Sequence, residues 1–303
     1  MRFVFIHAHA RIYHITTMCR VLEVSRAGYY AWRARPLCDR VQEDRVLTER
    51  IRAIHQEVKG RYGSPRVRME LRALGLHCGK NRVARLMRTE GLQAKSARRF
   101  RSTTKADPAQ SVAPNVLDRQ FAVATVAQPD RVWVADLTYI PTREGWLYLA
   151  VVLDLASRRV VGWALRTRLT HELALTALRM ALTHRTHRQR REQCGGVPGL
   201  PALLHHSDRG VQYTNGAYQQ VLRSVGCTPS MSRRGDCWDN AVAESFFATL
   251  TKELLIDGLF RSREEASRAI FTFIEIWYNR HRRHSSLGYR TPVEFERARQ
   301  NAS

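Results

Sequence analysis

The order of strand-like and helical segments after residue 131 is the feature that most constrains the fold of this 303-residue chain. Three runs rich in β-branched and aromatic residues follow one another there, separated only by short turn-forming segments. This pattern predicts an antiparallel meander of three strands. The predicted strands are Arg131–Pro141, Trp146–Asp154 and Arg158–Leu165.

Helical and strand-like segments alternate beyond the meander. The helical segments are His171–Thr183, Asn215–Val225 and the segment around Glu244, and the short strands between them are Ala202–His205 and Thr228–Ser232. The complete order is therefore β-β-β-α-β-α-β-α, which predicts a mixed sheet with helices on its faces. Because this order matches a ribonuclease-H-like core, the predicted fold class is α/β with such a core, preceded by an all-α region.

The charge balance indicates a polyanionic partner. The chain carries 50 Lys and Arg against 27 Asp and Glu, a formal net charge of +23. Residues 1–125 hold 25 of the basic and 10 of the acidic residues, a net of 25 − 10 = +15, so most of the excess lies ahead of the predicted sheet. Cations that neutralise phosphates release condensed counterions, which favours nucleic acid, and DNA in particular. A ribosomal or membrane-surface protein is the alternative.

Cysteine usage and apolar runs indicate the compartment. The six cysteines contain no C-x-x-C pair, so we expect reduced thiols in a cytoplasmic, nucleoid-associated protein. The N-terminal apolar run is too short for a signal peptide, and Asp154 interrupts the longest apolar stretch, so no membrane partner is expected. His205 and His206 have no cysteines at zinc-binding spacing and are expected to pack or to position a strand end.

The region ahead of residue 95 is predicted to be helical. Ile15–Leu22 and Arg26–Trp32, the second capped by Ser25, have a helix-turn-helix outline. Simple core packing of the aromatic side chains in the second helix is the alternative. These aromatic residues are Tyr29, Tyr30 and Trp32.

A second helical group follows. One apolar stripe at helical spacing consists of Leu47, Ile51, Ile54 and Val58. Ser64 is suited to cap the next helix, with Pro65 in its first position. The third helix, Asn81–Glu90, is predicted to turn apolar residues inward and an arginine face outward, toward phosphates or bases. That face consists of Arg82, Arg85 and Arg88.

A basic stretch between residues 95 and 130 is the clearest domain boundary. It contains prolines and no apolar periodicity, and its Arg98 and Arg99 are further candidate DNA contacts. Capping boxes that begin at Ser262, for a helix through Trp277, and at Thr291 predict helices near the C-terminus. The expected parts are residues 1–40, a helix-turn-helix-like segment; 41–94, a second helical DNA-binding region; 95–130, the linker; 131–256, the ribonuclease-H-like core; and 257–303, a helical extension.

Three acidic residues stand where the predicted elements can bring them together. Asp136 lies in the first strand, Asp208 follows the fourth, and Glu244 lies in a helix 244 − 208 − 1 = 35 residues further on. Magnesium prefers hard oxygen ligands, and a pair of such ions can promote phosphodiester cleavage and joining. The three acids therefore predict a two-metal site. From spacing alone, ordinary acidic residues at strand ends remain the alternative.

Each of the three acids lies within a longer motif. The aspartates lie in Trp133-x-x-Asp136-x-Thr138-Tyr139-Ile140 and in His206-Ser207-Asp208-Arg209-Gly210-x-Gln212-Tyr213. The glutamate lies in Asp239-Asn240-Ala241-x-x-Glu244-Ser245-Phe246-Phe247. These motifs resemble those of bacterial insertion-sequence transposases with a retroviral-integrase-type core. The resemblance covers nearly the whole chain and is closest to the insertion sequence three family, second-reading-frame product.

The resemblance implies a DDE-type transposase. Such an enzyme cleaves DNA at the terminal inverted repeats of its element and joins the 3′ end to target DNA. The resemblance assigns Asp136, Asp208 and Glu244 as ligands of two Mg²⁺ ions, with Mn²⁺ as a substitute. Because two ends must be held together, it also implies a homo-oligomer on DNA.

Two departures from the family pattern modify this expectation. The usual lysine seven residues after the glutamate is replaced by Thr251, and Lys252, about 100° further around a helix, becomes a candidate DNA contact. Active members are typically frameshift fusions, so the upstream-reading-frame product is an expected fusion or partner. A nuclease that cuts without joining, and a decayed or incomplete transposase that only binds DNA, are the alternatives.

Overall fold

The computed structural model describes residues 1–34, 38–95, 113–121, 128–192, 202–233 and 237–301. They belong to two compact units, Met1–Gln93 and Ala94–Ser303. Within the described ranges, every helix is too short or too polar to span a membrane. Arg98 and Arg99 lie outside the described residues. The division of the chain into five parts stays a prediction.

The first unit begins with three short helices. They are α1 (Arg2–His9), α2 (Ile15–Val21) and α3 (Arg26–Ala34). Ser25 caps α3 as predicted, because its Oγ accepts a hydrogen bond from the backbone N–H of Gly28 at 2.9 Å. Tyr29 is fully buried in a small cluster with Ile6, whereas Tyr30 is exposed. Core packing therefore accounts for only part of this aromatic group.

Three more helices complete the first unit. They are α4 (Asp39–Glu57), α5 (Ser64–Ala73) and α6 (Lys80–Thr89). The predicted apolar stripe of α4 is buried. The predicted cap at Ser64 is wrong: Ser64 is the first residue of α5, and Gly63, with φ −89° and ψ 176°, is the N-cap without a side-chain bond. The extended backbone of Gly63 supplies the non-helical conformation that an N-cap requires.

The described part of the second unit contains one five-stranded mixed sheet in the order β3-β2-β1-β4-β5. The strands are β1 (Val132–Thr142), β2 (Gly145–Asp154), β3 (Val160–Arg166), β4 (Leu203–Ser207) and β5 (Cys227–Met231). The first three pair antiparallel, whereas β4 pairs parallel with both β1 and β5. This is the sheet that the segment order predicts, and the ribonuclease-H-like fold class is confirmed.

Helices cover both faces of the sheet. The helices in the described part of this unit are α7 (His171–Glu192), α8 (Val211–Thr214), α9 (Gly216–Ser224), α10 (Ala241–Glu253), α11 (Arg263–Phe271) and α12 (Pro292–Gln300). Alternate residues of β1 point to opposite faces. Trp133 packs with residues of α7 and α9, and Val134 packs with residues of α10 and α11. The four-residue helix α8 has no counterpart in the predicted pattern.

The helix predicted to continue through Trp277 changes from an α-helix to a π-helix part-way along its length. It is α-helical only to Phe271 and then forms a π-helix over Thr272–Tyr278. A π-turn adds a residue to each turn and so shifts the buried face. Tyr278 consequently packs edge-to-face on Phe246, with ring centroids 4.9 Å apart, and Trp277 donates from Nε1 to Glu253 Oε2 at 2.8 Å.

Residues 113–121, placed by the sequence in the basic linker, pack along β5. Ser230 Oγ accepts hydrogen bonds from the backbone N–H groups of Val116 and Leu117 at 3.0 and 3.2 Å. The Leu117 side chain is buried in the same cluster as Val134. A segment this short shows no hydrophobic period, so its role in the core is visible only in the structure.

A close contact between β3 and α7 depends on Gly162. A Cβ at this position would lie 2.2 Å from the carbonyl oxygen of Ala177 and 2.8 Å from the Cβ of Ala181. We predict that Gly162→Ala separates β3 from α7 and lowers the free energy of unfolding by about 3 kcal/mol. Urea denaturation of the full chain measures this change.

Gly216→Ala is the matched control. It lies at the first residue of α9, where an added Cβ would meet nothing within 4 Å. Its free energy of unfolding is expected to stay within about 1 kcal/mol of the original chain. Equal stability of the two alanine variants would show that the close contact at Gly162 is not a constraint.

Candidate active site and nucleic-acid interface

The parallel pairing of β1 with β4 brings the two aspartates to the same level of the sheet. Val134 of β1 is in register with His206 of β4. Two residues further along, Asp136 is level with Asp208, which directly follows the end of β4. Both side chains are half-buried. Strand pairing in the centre of the sheet therefore determines their approach.

Local hydrogen bonds orient one oxygen of each aspartate. Asp136 Oδ1 accepts from the backbone N–H of Leu137 at 2.8 Å, and Asp208 Oδ1 accepts from that of Gly210 at 2.9 Å. A Cβ at position 210 would lie 2.9 Å from Asp208 Oδ1, so glycine leaves room for the carboxylate. Within the described parts of the chain, the second oxygen of each aspartate has no hydrogen-bond partner.

Helix α10 carries Glu244 toward these aspartates. Asn240 Nδ2 at the start of α10 donates to the carbonyl oxygen of Ala135 at 3.2 Å, next to Asp136 in the chain. Glu244 lies about one helical turn beyond Asn240 and is exposed. Asn240 holds the N-cap position, but its side chain bonds to β1 and makes no cap hydrogen bond.

Asp239 anchors the same helix start from the other side. Its buried carboxylate accepts from the backbone N–H of Arg233 at 2.8 Å and from the guanidinium groups of Arg233 and Arg119 at 2.8 to 3.0 Å. Asn115 Nδ2 donates a further hydrogen bond at 2.9 Å. The Arg233 side chain, followed by the other donors, holds the pKa of Asp239 far below its ordinary value. The carboxylate of Asp239 is thus engaged in structural contacts.

The three predicted acids influence one another electrostatically. Burial, followed by the negative charges of Asp208 and Glu244, raises the pKa of Asp136 well above its ordinary value. Burial also raises the pKa of Asp208, and partial desolvation of its carboxyl group raises the pKa of the exposed Glu244. Like charges gathered in a poorly solvated place disfavour ionisation unless a cation joins them.

The donor set fits magnesium. In the described ranges no group of three His, Cys, Asp or Glu side chains forms a ready-made metal site. The negative charges of both other acids nevertheless contribute to the raised pKa of Asp136. The three side chains offer only carboxylate oxygens, which suit Mg²⁺ or Mn²⁺ better than zinc. A divalent cation between them would offset the repulsion that raises the pKa of Asp136.

The two adjacent histidines pack in the core, as expected. His205 Nε2 is hydrogen-bonded to the hydroxyl of Tyr218 at 2.9 Å. The ring of His206 is hydrogen-bonded to Ser230 Oγ at 2.9 Å and to Ser232 Oγ at 3.1 Å. Both rings are buried and tie β4 to its neighbours. Burial, followed by the neighbouring His206, lowers the pKa of His205 to about 3.

Two of the three arginines on the predicted face of α6 form ion pairs within the domain, and the third is exposed to solvent. Arg82 donates from Nε to Asp44 Oδ1 at 2.7 Å and from Nη2 to Glu43 Oε2 at 2.9 Å. Arg85 donates to Asp44 Oδ2 at 2.6 Å. These pairs join α6 to α4. Arg88 is exposed and makes no contact of this kind within the described residues.

Lys252 lies in the last turn of α10, eight residues after Glu244, and is exposed. The adjacent Glu253 points into the core, where Glu253 Oε1 accepts from Arg282 Nε at 2.9 Å. Burial of Glu253 therefore fixes the rotation of this turn and leaves Lys252 outward. The structure shows no hydrogen-bond or ion-pair partner for Lys252 among the described residues.

Family models and relatives match almost the entire chain. An integrase core domain model matches residues 126–237, a second such model matches residues 225–292, and a helix-turn-helix-like domain model matches residues 42–100. Transposase InsF for insertion sequence IS3A of Escherichia coli (strain K12) is 39% identical over 298 residues, 98% of this chain and 98% of the relative. The transposase for insertion sequence element IS904 of Lactococcus lactis is 40% identical over 263 residues, 87% of this chain and 98% of the relative.

The chain belongs to the insertion sequence three family of transposases. It is accordingly an enzyme with an integrase-type catalytic core. The helix-turn-helix-like match coincides with α4 to α6 rather than with the earlier pair α2 and α3. The helical group with the arginine face is therefore the helix-turn-helix-like domain of this transposase.

Solved structures with a similar fold are more distant in sequence. The catalytic core domain of HTLV-2 integrase in complex with magnesium is 16% identical, with a TM-score of 0.39, and covers 56% of this chain and 97% of that chain. The catalytic domain of Mos1 mariner transposase is 12% identical, with a TM-score of 0.42, and covers 61% of this chain and 80% of that chain. The family assignment rests on the closer relatives.

The buried neutral state of His205 makes the transposase core sensitive to acid. Below about pH 6.5 the unfolded chain binds a proton at His205, whereas the folded chain does not until about pH 3. Above pH 6.5 both states are neutral, so this residue contributes no pH dependence there. We predict that His205 lowers the free energy of unfolding by about 2 kcal/mol between pH 6.5 and pH 5.

His205→Gln provides the comparison. Urea denaturation of both chains at pH 7, 6 and 5 should show a shallower loss of stability in the variant. Identical pH profiles would mean that His205 titrates equally in the folded and unfolded chains.

Proposed function

We propose that this transposase uses Asp136, Asp208 and Glu244 to hold two Mg²⁺ ions, cleaves the ends of its insertion sequence and joins the 3′ end to DNA. The observation that supports the proposal most strongly is the β1–β4 register, which places Asp136 level with Asp208. The contribution of both other acids to the raised pKa of Asp136 agrees with the proposal. When bound, the ions would activate the attacking hydroxyl and stabilise the leaving oxygen.

The three acids contribute differently to such a site. Asp136 lies on β1 and Asp208 directly follows the paired strand β4, each with one oxygen held by a backbone N–H, so their positions are preorganised. Glu244 is exposed on α10 and owes its direction to the anchors at Asn240 and Asp239. The reaction requires no protein nucleophile, because phosphoryl transfer depends on positioning and charge neutralisation.

The catalytic proposal predicts a severe loss of DNA processing when a carboxylate is removed. Asp136→Asn, Asp208→Asn and Glu244→Gln each keep the side-chain shape and remove a charge that would bind the ion. Each is expected to reduce cleavage and joining at least about a thousandfold, because a bound metal supplies several kcal/mol of transition-state stabilisation. Labelled DNA with the terminal repeats of the host element, in Mg²⁺ or Mn²⁺, reports both products.

Glu264→Gln is the matched control, since Glu264 is an exposed acid on α11. It should retain full activity. Products that are cleaved but never joined would indicate a nuclease instead of a transposase. DNA binding without products, unchanged by Glu244→Gln and by addition of the upstream-reading-frame product as a fusion, would indicate a protein that only binds DNA.

We also propose that the helix-turn-helix-like domain binds the terminal inverted repeats through the exposed side of α6. Its candidate contact there is Arg88, whereas Arg82 and Arg85 are held by Asp44 and therefore shape the domain. Lys252, Arg98 and Arg99 are further proposed DNA contacts. A homo-oligomer that holds two ends together follows from the same function.

Arg88→Ala is expected to weaken DNA binding without destabilising the domain. Loss of one phosphate contact should lower affinity several-fold and reduce the slope of log affinity against log salt concentration by about one. Arg50→Ala removes the same charge from the exposed surface of α4 and is the control. Fluorescence anisotropy across a salt series measures both variants. Equal effects of the two would indicate that only net charge matters.

A further inference from the structure

Tyr213 places a buried hydroxyl beside the candidate metal site. It belongs to α8, which begins immediately after the segment Asp208–Gly210. The residue is 1% exposed, and its hydroxyl oxygen has no hydrogen-bond partner within the described chain. Burying a hydroxyl without a partner costs free energy, because the hydroxyl loses its hydrogen bonds to water. An unsatisfied group of this kind in a catalytic core calls for an acceptor.

The ring of Tyr213 is held firmly in place. Its backbone N–H donates to the carbonyl oxygen of Gly210 at 3.0 Å, and its own carbonyl oxygen accepts from Gln219 Nε2 at 2.8 Å. The ring packs edge-to-face on Tyr218 at a centroid distance of 5.4 Å. It also belongs to the buried cluster that contains Trp133. The hydroxyl therefore cannot turn to solvent without unpacking this cluster.

Backbone hydrogen bonds link Tyr213 directly to the segment that holds Asp208. The N–H of Tyr213 donates to the carbonyl oxygen of Gly210, and the N–H of Gly210 donates to Asp208 Oδ1 at 2.9 Å. Burial, followed by the charges of Asp136, Tyr218 and Asp208, raises the pKa of Tyr213 well above its ordinary value. The phenol consequently keeps its proton and remains a hydrogen-bond donor. Neither aspartate accepts that proton in the described structure, where the Tyr213 hydroxyl has no partner and the two Oδ1 atoms accept from the backbone N–H groups of Leu137 and Gly210.

Tyr218, in the same cluster, provides a comparison, because its buried hydroxyl does have a hydrogen-bond partner. It is equally buried, but its hydroxyl is hydrogen-bonded to His205 Nε2 at 2.9 Å. The cluster therefore supplies a partner for the hydroxyl of Tyr218 and none, among the described residues, for that of Tyr213 in the helix that follows Asp208. This contrast separates the ring's packing role from the role of the hydroxyl.

We propose that Tyr213 is a positioning residue of the metal centre, whose hydroxyl donates a hydrogen bond to the oxygen ligands when Asp136 and Asp208 hold the ion. The proposal rests on the metal-binding role assigned above to these aspartates. A donor next to the ligand shell fixes the orientation of carboxylate or water oxygens, and loss of such a group typically weakens metal binding by about 10- to 100-fold. Tyr213 would thus act through the ligands and would not touch the reacting DNA.

Paired tyrosine variants of the full chain test this role. Tyr213→Phe removes the unsatisfied hydroxyl and keeps the ring, so Mn²⁺ affinity measured by electron paramagnetic resonance should fall about 10- to 100-fold. The melting temperature in EDTA should stay the same or rise, because no hydrogen bond is lost. Tyr218→Phe should show the opposite pattern, with unchanged Mn²⁺ affinity and a lower melting temperature, because His205 loses its partner.

An Asp136→Asn variant separates the two levels of the proposal. Loss of Mn²⁺ binding in Asp136→Asn, combined with unchanged binding in Tyr213→Phe, would overturn the role of Tyr213 and leave the metal site intact. A lower melting temperature of Tyr213→Phe in EDTA would also overturn it, since the hydroxyl would then have an internal partner. Failure of the original chain to bind Mn²⁺, or binding that survives Asp136→Asn, would overturn the metal site and the role of Tyr213 together.

Discussion

The parallel pairing of β1 and β4 is the interaction on which the rest of the catalytic unit depends. It joins the antiparallel meander to the two parallel strands and determines which residues stand opposite one another. A slip of one residue would turn every side chain of β4 to the other face of the sheet. Asp208 would then no longer lie level with Asp136, and the buried histidines would lose their partners.

The position of α10 depends on polar contacts as well as on packing. Asn240 bonds to the backbone of β1, and Asp239 gathers donors from Arg233, Arg119 and Asn115. At the other end of the helix, Glu253 accepts hydrogen bonds from Trp277 and Arg282. Because these groups are buried and mutually satisfied, displacing α10 would leave several polar atoms without partners. The direction of Glu244 is thus coupled to the C-terminal part of the chain.

The charge distribution is consistent with the proposed chemistry. The net charge of +23 favours a polyanionic partner such as DNA, whereas the three acids of the proposed site, when ionised, would repel a phosphate. In the proposed function, a divalent cation bound by the acids would remove this repulsion where the phosphodiester would react. The proposed function therefore needs positive charge over the surface that attracts DNA and negative charge at the metal ligands. The many Lys and Arg residues supply the first, and the three acids supply the second.

The sequence by itself determined the order of elements, the apolar stripe of α4 and the positions of the three acids, because hydrophobic period and motif spacing are local properties. It did not determine the π-helix at Thr272–Tyr278, the packing of residues 113–121 on β5, or the bond from Asn240 to Ala135. Each of these depends on partners distant in the chain. The same is true of the unsatisfied Tyr213 hydroxyl, since only the tertiary structure decides which buried polar groups meet and which remain without a partner.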